Sequence, residues 1–285
     1  MIPESDPENP PPLPARYLIL LALGAAYLNF SLILILHAMQ GAAALTPALL
    51  GIASILAYGG AFALAAQRLE GAPPAALGLL PAARPAWLSV GFLLPSILLM
   101  SEIDNVTRAL IPPPETIANA TAPAVASLAV VLERAIVWIA VLPLVEELFF
   151  RGLLQPHFVA RWGRVRGVAA CAGVSGVGFG LLYPWAFPVV LARGALLGFM
   201  RESSGSVLPG MLLHVGFGLA HALAVAQWFG IPGFDDLASA HTPLEWLIPA
   251  ALATGVGLGL CRALLRAREL AHASIDSEAD SEAES

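Results

Sequence analysis

The stretch AVASLAVVLERAIVWIAVLPLVEELFFRG, residues 124–152, decides the architecture. Its apolar part, 124–150, is longer than the roughly 20 residues a helix needs to cross a bilayer. It closes on two adjacent glutamates, Glu146 and Glu147, with Arg151 four residues further on. Ionisable groups inside such a run cost about 2.5–3.5 kcal/mol each on insertion scales, which makes them functional candidates.

The same apolar pattern repeats on both sides. Toward the N-terminus, runs cover 17–37, 46–67 and 86–101, the last containing Pro95. Toward the C-terminus they cover 167–183, 187–200, 207–229 and 246–265, with Pro184 and Pro188 where the first two meet. That short pair reads either as two spans or as a broken, re-entrant helix. The expected fold class is all-α: a polytopic transmembrane bundle of about eight spans.

Composition agrees. The chain has 285 residues, 58% hydrophobic and 12% charged, with a mean hydropathy of +0.78. A soluble domain runs nearer half apolar and a quarter charged, so a cytosolic enzyme, a disordered chain and a nucleic-acid binder are excluded. Residues 1–15 form an acidic, Pro-rich tail and 269–285 an acidic, Ser-rich one; both are expected to be disordered. The transmembrane domain then covers 16–268. The tails supply most of the net charge of −6, which therefore carries no information about a partner. No basic segment precedes the first run, so no cleaved signal peptide is expected. Cys171 and Cys261 both fall in apolar runs, without the spacing of a disulfide framework or a zinc ribbon.

All 14 basic residues are arginine. With eight spans and the N-terminus inside, eleven lie on inner segments and Arg108 alone on an outer one; Arg134 and Arg193 fall within apolar runs. This positive-inside bias places both termini in the cytoplasm. The absence of lysine and the Ala, Leu, Gly and Pro load suggest a GC-rich bacterial genome, hence a multi-pass protein of the cell inner membrane.

Neighbouring helical residues point about 100° apart, so Glu146 and Glu147 have different roles. Glu147 and Arg151 share a face and can pair, which leaves Glu146 free on the next face. A carboxylate in an apolar cavity is a competent general base. Pro143 removes a backbone donor and can kink the helix toward such a cavity. His214 and His221 lie two turns apart on one face of the seventh run, and Arg193 could offset Glu146 across the bundle. Glu133, Arg134 and His37 suit an interface.

The segment Glu146-Glu147-Leu148-Phe149-Phe150-Arg151-Gly152 resembles the first motif, Glu-Glu-x-x-x-Arg, of the CPBP family, the CAAX-protease and bacteriocin-processing intramembrane proteases of glutamic type. The resemblance covers roughly 125–225. Two further motifs depart from the family pattern. Phe-x-x-x-His reads Phe179-Gly180-Leu181-Leu182-Tyr183, and His-x-x-x-Asn/Asp reads His214-Val215-Gly216-Phe217-Gly218. The resemblance implies Glu146 as the base that activates a water, His214 as a donor to the carbonyl oxygen, and Glu147–Arg151 as the supporting pair. Tyr183 can donate a hydrogen bond but cannot replace a neutral imidazole as base near pH 7. Gly218 brings no side-chain donor, a loss typically of about 10²–10³ in rate; His221, one turn beyond, could compensate.

The implied activity is endoproteolysis of a membrane-associated protein tail or leader in the lipid bilayer, with no cofactor and no nucleic-acid partner. A catalytic zinc wants three protein ligands. Only His214 and the carboxylates are suitably placed, and no His-Glu-x-x-His occurs. Three alternatives stay open. A catalytically impaired relative could bind membrane partners or confer immunity. Gly173-Val174-Ser175-Gly176 matches the Gly-x-Ser-Gly of rhomboid serine proteases, which would pair Ser175 with a histidine, although small residues also serve close helix packing. A transporter would use the break near Pro184 and Arg193. Gly255 and Gly259, with Gly257 between them, could mark a helix contact in the last run.

Overall fold

The computed structural model describes residues 14–40, 47–67, 77–113, 128–180, 184–235 and 241–283. Tyr183 and residues 1–13 of the N-terminal tail lie outside them. The regular elements among the described residues are all helices, joined by turns and loops. In chain order they form α1 (Ala15–Gln40), α2 (47–66), α3 (Arg84–Leu93), α4 (Ser96–Leu110), α5 (128–162), α6 (Arg164–Gly180), α7 (Phe187–Ser204), α8 (Leu208–Val225) and α9 (Leu244–Ala283). The described part of each of the eight apolar runs lies largely on helix.

Four of these helices are long and apolar enough to cross a membrane, over 16–36, 48–66, 208–225 and 244–271; α3 and α4, bent by 41°, make a fifth if counted as one span. The bend sits at Pro95, which caps the start of α4, because a proline ring cannot continue the preceding helix. Most of the buried charge lies on α5 and α7, at Glu146, Glu147, Arg151 and Arg201. A 3₁₀ turn, Pro184–Ala186, leads directly into α7. The last helix continues to Ala283, through most of the acidic stretch expected to be disordered; its Ala and Glu content favours helix.

Three wide π turns interrupt the α geometry: Ile55–Gly59 in α2, and Val137–Val141 and Glu147–Leu154 in α5. The two in α5 each end two residues before a proline, Pro143 and Pro156. A proline ring collides with the carbonyl four residues back, and a wider turn gives it room. The expected kink at Pro143 thus takes the form of a π turn inside a continuous helix.

Two apolar clusters flank the middle of the bundle. One joins Leu18 and Ala22 of α1 and Tyr58 of α2 to Phe149, Phe150, Leu153 and Phe158 of α5. The other joins Val90 and Leu93 of α3 to Leu197 and Met200 of α7 and to Leu213 and Phe217 of α8. The polar face of α5 runs between them. Cys171 and Cys261 are buried free thiols.

Candidate active site

The site is built on α5. From Glu147 a polar stripe runs at four-residue intervals through Arg151 to Gln155, all three side chains buried. Arg151 Nη1 lies 3.2 Å from Glu147 Oε1. Arg151 Nη2 donates to the Gly194 carbonyl at 3.3 Å, and Gln155 Nε2 donates to the Gly198 carbonyl at 2.8 Å. The stripe on α5 therefore reads the buried carbonyls of two glycines one turn apart on α7. Small residues let the helices come this close. A Cβ on Gly198 would stand 2.9 Å from Gln155 Oε1, and one on Gly194 would stand 3.1 Å from Ser175 Oγ of α6.

Glu147 also reaches α8. His214 Nδ1 lies 3.0 Å from Glu147 Oε1, so one carboxylate oxygen serves both Arg151 and the imidazole. The other oxygen, Oε2, has no hydrogen-bond partner among the described residues and faces Gly210, where a Cβ would lie 3.6 Å away.

Glu146 points to the next face, 3% exposed. Arg193 Nη2 of α7 is 3.6 Å from its Oε2, and His214 Nε2 is 4.0 Å from the same atom. The imidazole thus lies between the two glutamates, with Nδ1 toward Glu147 and Nε2 toward Glu146. Two carboxylates face two guanidiniums in this centre, a balance that keeps buried charge tolerable.

The remaining sequence candidates lie further out. Phe179 is in the last turn of α6. His221 sits seven residues beyond His214, about 10 Å along the helix, with its ring 5.0 Å from that of Trp138. Gly218 faces the α5 backbone, and a Cβ there would stand 2.1 Å from the Trp138 carbonyl oxygen. The position where the motif resemblance expects Asn or Asp is a helix crossing with no room for a side chain. Ser175 Oγ donates to the Ala172 carbonyl of its own helix at 2.8 Å, while both His214 nitrogens are turned toward the glutamates. Glu133, read as interfacial, accepts from the Ala48 amide at 2.6 Å and so caps the start of α2. Gly257 makes the contact expected near Gly255 and Gly259, packing on Leu93.

A second polar group was invisible in the motifs. Tyr58, in the π turn of α2, stacks on Phe149 and Phe150 with ring centroids 5.5 and 5.3 Å away. Its hydroxyl shares a hydrogen bond with the Asn29 side chain and lies in the field of Glu146. Ser54 Oγ donates to Asn29 Oδ1 at 3.5 Å. Buried amide and hydroxyl groups in three apolar helical turns were the available signal, since polar groups at membrane depth need partners. Among the described residues, no group of three His, Cys, Asp or Glu side chains is arranged to hold a metal ion.

Fold and site together define a polytopic helical protein with a buried glutamate pair on one interior helix. Residues 128–220 match the family model described as type II CAAX prenyl endopeptidase Rce1-like, and this match supports membership of the CPBP family, which the Glu-Glu-x-x-x-Arg motif resembles. No curated protein and no solved structure matches the chain.

Proposed function

We propose that the chain is an intramembrane endopeptidase of the CAAX-protease type, an eight-span inner-membrane protein with cytoplasmic termini. It hydrolyses a peptide bond in the tail or leader of a membrane-associated protein, near the cytoplasmic side. Glu146 is the base that takes a proton from the attacking water. Glu147 and Arg151 hold the helix and the imidazole in place, and His214 stands beside the reacting atoms. The observation that carries this reading is the placement of Glu146: buried, facing Arg193 and His214, and separate from the ion pair that occupies Glu147. A buried, positioned carboxylate is the group that water activation needs.

The test compares a deletion strain, a Glu146→Gln strain and wild type by mass spectrometry of membrane-protein termini. Matching loss of a cleaved terminus in the first two supports endoproteolysis. A Glu146→Gln strain that behaves as wild type while the deletion does not favours the second reading, a relative that binds membrane partners without cleaving them. The missing side chain at Gly218 is the observation on that side. In the same assay Ser175→Ala should leave the terminus intact as product, because its hydroxyl is bonded within its own helix; loss of cleavage there would revive the serine-protease alternative.

A further inference from the structure

The two nitrogens of His214 are not equivalent. Nδ1 is 3.0 Å from Glu147 Oε1, and a carboxylate oxygen only accepts. Nδ1 must therefore carry a hydrogen. A carboxylate bonded to one ring nitrogen fixes the tautomer and presents the other nitrogen to the reacting atoms. The charges already balance without the imidazole. Glu147 is paired with Arg151 and Glu146 with Arg193, so a second ring proton would leave this buried centre with an excess positive charge.

We infer that His214 is a hydrogen-bond acceptor at Nε2, and that the bare Nε2 and the Glu146 carboxylate together grip the two hydrogens of the attacking water. The inference rests on the endopeptidase reading and differs from the donor role that the third motif implies. Nε2 and Glu146 Oε2 are 4.0 Å apart. Two acceptors sharing one water, each at about 2.8 Å, stand roughly 4–5 Å from each other. A donor at Nε2 would instead point its hydrogen at Glu146 and compete with the water for that carboxylate.

The step balances. The water oxygen attacks the scissile carbonyl carbon, and the π pair of the carbonyl moves onto its oxygen. One O–H bond of the water breaks, and that proton goes to Glu146. The other hydrogen stays on the attacking oxygen, hydrogen-bonded to His214 Nε2. Collapse of the tetrahedral species breaks the C–N bond, and the leaving nitrogen takes the proton from Glu146. The imidazole orients the water throughout without changing its own protonation. In this arrangement His214 serves as the water-facing imidazole in a chain whose second motif carries Tyr183 in place of histidine.

The test is nitrogen NMR of the full chain in lipid bilayers at pH 7, with ¹⁵N-labelled histidine. The chain has 6 histidines; His214→Gln identifies the signals. Should that variant not fold, the His214-Val215 pair, which occurs once in the sequence, allows assignment by pairwise labelling of the unaltered protein. The expected result is a protonated Nδ1 and an unprotonated Nε2. A ring protonated on Nε2, or on both nitrogens, overturns the inference. Glu146→Gln is assayed in parallel by membrane-protein termini. Cleavage retained in that variant overturns both the endopeptidase reading and this inference. Cleavage lost, with the wrong tautomer, overturns the inference alone.

Discussion

Gly218 and Trp138 meet where α8 crosses the first π turn of α5, so closely that a single added methyl carbon would stand 2.1 Å from the Trp138 carbonyl oxygen. The glycine is therefore a packing requirement at a position where related motifs carry a polar side chain. Gly218→Ala is expected to lower stability by about 1–3 kcal/mol or more, the scale of overpacking in a close-fitted interior. Gly218→Asn should be worse still and should not raise cleavage. Thermal unfolding in detergent, with the terminus assay alongside, checks both.

Glu147 and Arg151 form an ion pair with side chains 0% and 3% exposed. Removing one partner strands the other charge. Glu147→Leu should cost about 3–5 kcal/mol, whereas the double variant Glu147→Leu, Arg151→Met should recover much of that loss. A double-mutant cycle on thermal midpoints measures the difference. Equal losses in single and double variants would argue that the pair contributes little beyond its packing volume.

Tyr58 separates packing from polarity. Tyr58→Phe keeps the ring on Phe149 and Phe150 and loses the hydroxyl contact with Asn29, with an expected cost of about 0.5–1.5 kcal/mol. Tyr58→Ala also empties the space beneath two aromatic rings and should cost about 3–5 kcal/mol. The comparison is made by chemical or thermal denaturation of the two purified variants.

Asp235 organises the turn at 229–235 that follows α8. Its carboxylate accepts from the amides of Phe229 and Gly230 at 2.6 and 2.8 Å, and from that of Ile231. Asp235→Ala orphans these donors. The loss should be about 1.5–3 kcal/mol, the range for bonds to a charged group. Limited proteolysis should show faster cutting within 226–235, with helical content by circular dichroism unchanged.

Much of this architecture was legible because membrane helices announce themselves by length and apolarity. The spacing of Glu147 and Arg151 was enough to foresee their pairing, since four residues bring side chains to one face. Periodicity did not distinguish α from π turns, so Pro143 read as a kink and the turn that accommodates it went unseen. Contacts between distant helices were equally hidden. Nothing in α2 alone shows that Tyr58 lies under Phe150, and nothing near Gly218 shows the Trp138 carbonyl. Gln155 could have been found, because it continues the four-residue spacing of Glu147 and Arg151 and faces glycines at the same spacing on α7. The reading of Glu133 as interfacial missed its partner for the same reason: the Ala48 amide lies 85 residues away.

The wide turns in α5 have a consequence for how this helix tolerates change in chain length. A π turn holds one residue more than the α turn it replaces. Deleting a single residue within Glu147–Leu154 could be absorbed by tightening the turn, leaving the helix unbroken. Everything beyond the deletion would then keep its orientation relative to Glu146, and Gln155 would stay at the Gly198 carbonyl, whereas the same deletion in a plain α-helix would rotate the rest by about 100°. The wide turn therefore acts as a reserve of one residue, sparing the far half of the helix a rotation that a deletion in the α-helical parts of α5 would impose.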